Sequence, residues 1–351
     1  MGAGVTIVVL GLSITSSWGN GHATNYRALC GALRARGHDV LFLERNMPWY
    51  ASTRDFAAPW VRLYGSVQEL ASWTDEIRDA DLVVLGSYVP DGIEVAEWAL
   101  ATAEGVVAFW DIDTPVTAAA LERGDCEYLT RGLVPRFDLY LSFTGGPLLE
   151  RLGARRARPF WCLVDHRRYT PVHVPVRWEL GYLGTYSDDR QPTVEALLLE
   201  PARRAPTRRF VAAGPMYPDS IEWPANVDRI ENVAPDDHAD FYCAQRLTLN
   251  VTRADMIRAG WSPSVRLFEA AACGAPIVSD WWEGLDAFFE PNREILVALD
   301  ADDVERHLRL DEEARRSLGL RARRRVLAEH TAERRACELE ELVAEATRAA
   351  A

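Results

Sequence analysis

Ser262-Pro263-Ser264-Val265-Arg266-Leu267-Phe268-Glu269 sets two hydroxyls, a guanidinium and a carboxylate along a few residues. Ser-Pro-Ser offers an N-cap and an early-turn proline, which predicts a helix start. Val265, Leu267, Phe268, Ala271 and Ala272 make Val265 to Cys273 a short, largely buried helix. Gly274 stops it where a left-handed residue is wanted. Pro276 to Ser279 follows as a brief apolar strand. A helix N-terminus with the amides of Ser264 and Val265 and with Arg266 in its first turn can hold an anion. Glu269 lies one turn further on, within reach of whatever carries that anion. A carboxylate on an apolar helix is costly unless paired. Either Arg266 at i, i+3 or a ligand must account for it.

The elements that would position these groups alternate along the chain. Val5 to Leu10 is an apolar run suited to a central parallel strand. A loop of small and polar residues, Gly11 to Gly21, leads to a helix from His22 to Arg36, and Asp39 to Leu43 is the next strand. Open α/β sheets bind ligands at such strand ends, but GxGxxG is absent, so no dinucleotide fingerprint is present. Further strands are predicted at 81–85, 105–110, 137–143 and 159–163, with a helix at 93–103. Pro171 to Pro175 reads as an extended connector. A second series then predicts strands at 180–183, 209–213, at Ile230, and at 247–251, and helices at 193–199 and 238–245. Two or three charged helices are predicted over 301–349. The reading is α/β: two Rossmann-like domains, 1–173 and 177–330, facing each other across a ligand-binding cleft. A C-terminal helix, 331–351, would pack back on the first domain.

Bulk chemistry narrows the function. A chain of 351 residues with 48% hydrophobic and 26% charged residues is globular. Net charge −13 argues against nucleic acid or an anionic membrane as the main partner. All 39 basic residues are arginine, so a phosphate clamp must use Arg, His or backbone amides. The six cysteines show no CxxC and no zinc spacing, as in a reducing compartment. The N-terminal apolar run is far below membrane-spanning length, and a cytoplasmic protein without a transmembrane segment is expected.

Ser262 to Leu296 resembles the C-terminal signature of GT-B glycosyltransferases of the group 1 type, especially their spore-maturation-protein-like (CgeB-like) branch. The likeness extends to Phe109–Pro115, to Val164-Asp165 before Tyr169-Thr170-Pro171, and to Gly184-Thr185-Tyr186. It implies two Rossmann-like domains and transfer of a sugar from a nucleotide-diphosphate sugar, the co-substrate, to an acceptor, with no separate cofactor. It also implies that Glu269 binds ribose hydroxyls, and that Ser264, Val265 and Arg266 or Arg190 receive the diphosphate. His22, on the first loop, and Asp113 would face the acceptor as catalytic residues; Glu283 and Gly284 would meet the donor sugar, with Trp281 and Trp282 stacking on it or packing the core. Arg253 is a weaker phosphate candidate, and Arg321 to Arg325 a solvated helix face. Many group 1 enzymes carry a second glutamate with seven residues between it and the first; here that position is Trp261.

Asp111 and Asp113 also form a DxD after an apolar strand, which in GT-A glycosyltransferases binds a metal; the tandem-domain pattern and the glycine-stopped helix favour GT-B and no metal. The favoured reading is therefore a retaining, metal-independent glycosyltransferase, retention resting on the resemblance. The alternatives are a non-catalytic nucleotide- or glycan-binding protein, which Trp261 favours, and a nucleotide-sugar epimerase. Donor base, sugar and acceptor stay open.

Overall fold

The computed structural model describes residues 4–18 and 22–350, so Gly19 to Gly21 of the first loop lie outside the described residues. The chain divides into two compact units: residues 1–163 with 332–351, and residues 164–331.

The first unit is built on a seven-stranded sheet. Its strands are β1 (Thr6–Gly11), β2 (Asp39–Arg45), β3 (Val61–Tyr64), β4 (Leu82–Gly86), β5 (Val106–Asp111), β6 (Leu139–Ser142) and β7 (Ala157–Pro159). They pair in the order β3-β2-β1-β4-β5-β6-β7, and every pairing is parallel. Val8, Leu10, Val83, Leu85 and Phe109 are fully buried, as strands covered on both faces require. Tyr26, on the helix His22–Ala35, sits edge-on between Phe42 and Trp110, 5.1 and 5.0 Å between ring centres. The order reverses between β1 and β4, the switch point where such sheets leave a crevice at their carboxyl ends.

The second unit carries a six-stranded parallel sheet, β10-β9-β8-β11-β12-β13. These strands are β8 (Trp178–Leu183), β9 (Phe210–Ala213), β10 (Val227–Ile230), β11 (Gln245–Asn250), β12 (Ile277–Ser279) and β13 (Leu296–Val297). Its switch point lies between β8 and β11. Both halves are thus Rossmann-like α/β layers.

Several expectations move. The division falls at Leu163/Val164 rather than at 173/177, because Val164 already bridges Thr331 and bonds the His330 carbonyl at 2.9 Å, both in the second unit. The strand expected at 159–163 is Ala157–Pro159 at the sheet edge, where a proline's missing N–H costs nothing. The helix expected at 193–199 runs from Gln191 to Arg204 and widens by one residue over Glu195–Leu199. Pro201 lies two residues past it and has no N–H for a regular helical bond.

The last helix, Ala332–Ala350, belongs to the first unit. Ala332, Arg335, Ala336, Leu339 and Ala346 are buried on it. Glu340 receives Arg36 Nε at 2.5 Å and His38 Nε2 at 2.8 Å, and Glu345 receives Arg158 at 2.8 Å. Among the described residues no helix is long and apolar enough to cross a membrane.

Candidate functional site

In the second unit the polar residues gather at the carboxyl ends of β8, β11 and β12, flanking the switch point. The helix Val265–Ala272 starts there, and the Ser264 side chain caps it by accepting from the Arg266 amide at 3.3 Å. Such a cap is worth about 1 kcal/mol. Gly274, at φ 71°, ends the turn after the helix in the left-handed region.

Arg266 does not pair with Glu269. It reaches back across the sheet end, donating from Nε to the Leu183 carbonyl and from Nη1 to Asn250 Oδ1 at 3.0 Å. Its guanidinium lies 5.0 Å from the centre of the Tyr182 ring. Gly184 leaves room for it: a Cβ there would stand 2.8 Å from Arg266 Nη2 and 2.5 Å from Tyr182 Oη. Arg190, at the end of the loop after β8, donates from Nε to Ser187 at 3.1 Å. Burial, and after it the nearby charges of Arg266 and Arg253, hold its guanidinium below the usual range. Asp189 offsets part of that crowding, accepting the Ala254 amide at 2.9 Å. Arginines gathered beside a helix N-terminus form a site suited to a diphosphate.

Glu269 is buried, with 6% of its surface exposed. Its Oε2 accepts from Tyr242 Oη at 3.3 Å and lies 3.7 Å from His238 Nδ1. Burial alone would raise its carboxyl, but His238 and then Tyr169 and Tyr242 favour the charged form and bring it below its ordinary value.

Trp261 holds a left-handed φ of 50° and donates its amide to the Glu283 carbonyl at 2.6 Å. Its ring packs on Gly284, where a Cβ would come within 2.6 Å of the indole. Glu283 is exposed, Trp282 is core and Trp281 is on the surface.

Sequence reasoning passed over Asn250, Thr252 and Asp280, all buried at these strand ends. Asp280 accepts from the Thr252 amide at 2.9 Å and hydroxyl at 2.7 Å, and burial pushes its carboxyl up. A polar residue closing an apolar strand was the available signal.

In the first unit the structure brings His22 and Asp113 to one cluster. Tyr88 stacks on His22, 6.1 Å between ring centres, and donates its hydroxyl to Asp113 Oδ2 at 2.9 Å. Tyr88 has φ 64°, a strained conformation for a tyrosine. The first loop is fixed by buried Glu44, which accepts the amides of Ile14 and Thr15 at 2.7 and 2.9 Å. Asp111 is turned into the fold, accepting from Tyr140 at 2.6 Å and Thr117 at 2.8 Å. The two aspartates thus hold different partners, Asp111 inside the fold and Asp113 at Tyr88. Among the described residues no group of three or more His, Cys, Asp or Glu is arranged to hold a metal ion.

Residues 190–341 match the model of a family described as glycosyl transferase-like. No curated protein matches the chain. Among solved structures, sucrose-phosphate synthase from Thermosynechococcus elongatus is similar at 16% identity, TM-score 0.67, over 98% of this chain and 100% of its own. Anabaena HepE in complex with UDP and glucose is similar at 13% identity, TM-score 0.71, over 97% and 100%. An α-glucosyltransferase in complex with UDP-glucose and DNA reaches TM-score 0.72 at 12% identity over 97% and 100%. The chain thus has the two-domain GT-B fold of these structures, with the glycosyl transferase-like match over residues 190–341.

Proposed function

We propose that this protein moves a sugar from a nucleoside-diphosphate sugar to an acceptor hydroxyl, with retention of configuration and without a metal ion, as a member of the spore-maturation-protein-like branch. One observation carries the donor half: the capped helix N-terminus of Ser264 and Val265 meets Arg266 and Arg190 at a strand switch point, with Glu269 one turn inside the helix. The amides and guanidiniums stabilise charge that grows on the diphosphate as the sugar–oxygen bond breaks. Glu269 takes the ribose hydroxyls. UDP is the favoured carrier, because solved structures of similar fold hold UDP. In the first unit His22 and Asp113, linked through Tyr88, serve the acceptor and the positive charge on the sugar. Glu283 and Gly284 serve the sugar end of the donor.

Calorimetry with UDP tests the donor half. Wild type should bind, and Glu269→Ala should bind at least about tenfold more weakly, the cost of losing a charged hydrogen bond, with the far-UV spectrum unchanged. Equal affinities of both proteins for UDP, GDP, dTDP and ADP would remove Glu269 from the site. A binding protein without catalysis is the second reading. Trp261, wedged on Gly284 where many group 1 enzymes carry a carboxylate, favours it. UDP release from UDP-sugars decides between the two.

A further inference from the structure

Glu269 is met by groups that the donor chemistry above does not use. His238 opens the helix His238–Cys243, and its Nε2 lies 3.2 Å from the Val233 carbonyl oxygen. A carbonyl only accepts, so Nε2 carries the proton. The other nitrogen, Nδ1, lies 3.2 Å from Tyr169 Oη and 3.7 Å from Glu269 Oε2. Tyr242 Oη meets the same carboxylate oxygen at 3.3 Å. In the neutral ring Nδ1 offers a lone pair to the Tyr169 hydroxyl beside the carboxylate; in the protonated ring it presents an N–H and a positive charge there. The two states therefore act on Glu269 with opposite sign, inside a buried cluster where such differences are poorly screened.

We propose that His238 is the positioning residue for Glu269: its ring, 3.7 Å from Oε2, holds that oxygen by charge beside the Tyr242 hydroxyl and leaves Oε1 to the ribose hydroxyls of a nucleoside diphosphate. The proposal rests on the donor reading above. The titratable and charged groups around His238 are Glu269, Tyr169 with its neighbour Arg168, Tyr242 and Asp240 on its own helix, and Asp236 and Asp237 in the turn before it. Asp236 is surface-exposed and paired with Arg168, and Asp237 and Asp240 are also exposed. Glu269 is the buried carboxylate in reach. Tyr169, also buried, is held well above the ordinary phenol range by burial and then by Glu269, so it stays a neutral donor.

UDP affinity is measured by calorimetry at about pH 6 and about pH 8.5, which spans ordinary imidazole titration, for wild type, His238→Asn and His238→Leu. Asparagine presents an amide N–H near the place of Nδ1 at every pH, and titration of UDP itself is common to all three. Relative to His238→Asn, wild type should lose about tenfold in affinity from the acid to the alkaline point; His238→Leu should be weak at both while keeping its far-UV spectrum. A ratio of wild type to His238→Asn that does not change with pH overturns the proposal, as does His238→Leu with wild-type affinity. Nucleotide-free protein gives a second readout: the imidazole titration of His238, followed by NMR, should move to lower pH in Glu269→Gln. No movement overturns the coupling. If the titration moves but wild type binds none of UDP, GDP, dTDP and ADP, the donor reading falls, and the ribose role of His238 with it.

Discussion

Asp111→Asn separates a carboxylate built into the fold from one meant for a metal. Asp111 is fully buried at the end of β5 and takes hydrogen bonds from Tyr140, Thr117 and the Asp113 amide at 2.6, 2.8 and 3.2 Å. Burial outweighs these donors and pushes its carboxyl from 3.8 up to about 6. Because the folded value lies above the unfolded one, the native state holds the proton more tightly. The stabilisation is complete below pH 3.8 and is lost as pH rises through about 6. A gap of roughly two units at about 1.4 kcal/mol each puts the loss near 3 kcal/mol at neutral pH. Asparagine keeps the shape and one acceptor oxygen, and the Tyr140 hydroxyl turns to accept from the new amide. Urea unfolding of wild type and Asp111→Asn, compared pairwise, should give near-equal stabilities at about pH 4 and an advantage for Asn of up to about 3 kcal/mol at about pH 7.5. A difference that does not vary with pH refutes the burial argument. A rise in wild-type stability alone on adding Mg2+ or Mn2+ would restore the metal reading of the two aspartates.

Gly184→Ala drives a methyl against Arg266 and Tyr182, so it should cost about 1–3 kcal/mol in thermal unfolding and weaken UDP binding; neither change would mean Arg266 has room to spare. Glu340 is held down to about 2 by Arg36 and His38, against an ordinary 4.5. This contribution is therefore present above pH 4.5 and is lost as pH falls through about 2. The pair is largely solvated, so Glu340→Gln should cost only about 0.5–1 kcal/mol at neutral pH. Faster amide exchange in the helix Ala332–Ala350 checks it, and unchanged exchange counts against the pair as an anchor.

What the sequence made legible followed from local signals. Continuous apolar runs such as Val5–Leu10 and Asp81–Leu85 became central strands, because burial on both faces leaves a mark that one segment carries alone. Ser264 and Gly274 marked a helix start and stop for the same reason. β3, with Arg62 in its middle, has only four residues at a sheet edge and carries no such mark. The helix Thr114–Arg123 was not among the expected helices, although proline early in a helix is a start signal. The partners of Glu269 were out of reach for another reason. Tyr169, His238 and Tyr242 come from distant segments, and no spacing rule links them. Tyr88 escaped because its left-handed backbone is set by the loop around it, not by the residue. His22 and Asp113 were legible as strand-end residues, but their link through Tyr88 was not.

The chain leaves the first unit at Leu163 and returns to it at Ala332. The second unit is one uninterrupted segment and can fold as soon as it clears the ribosome. The first cannot finish until then: the helix His22–Ala35 waits for Ala332–Ala350, made after the second unit, to cover it. During synthesis the domain written first is thus the one completed last, with an apolar helix face open to chaperones or to aggregation throughout. A fragment cut near residue 163 would keep that face open permanently.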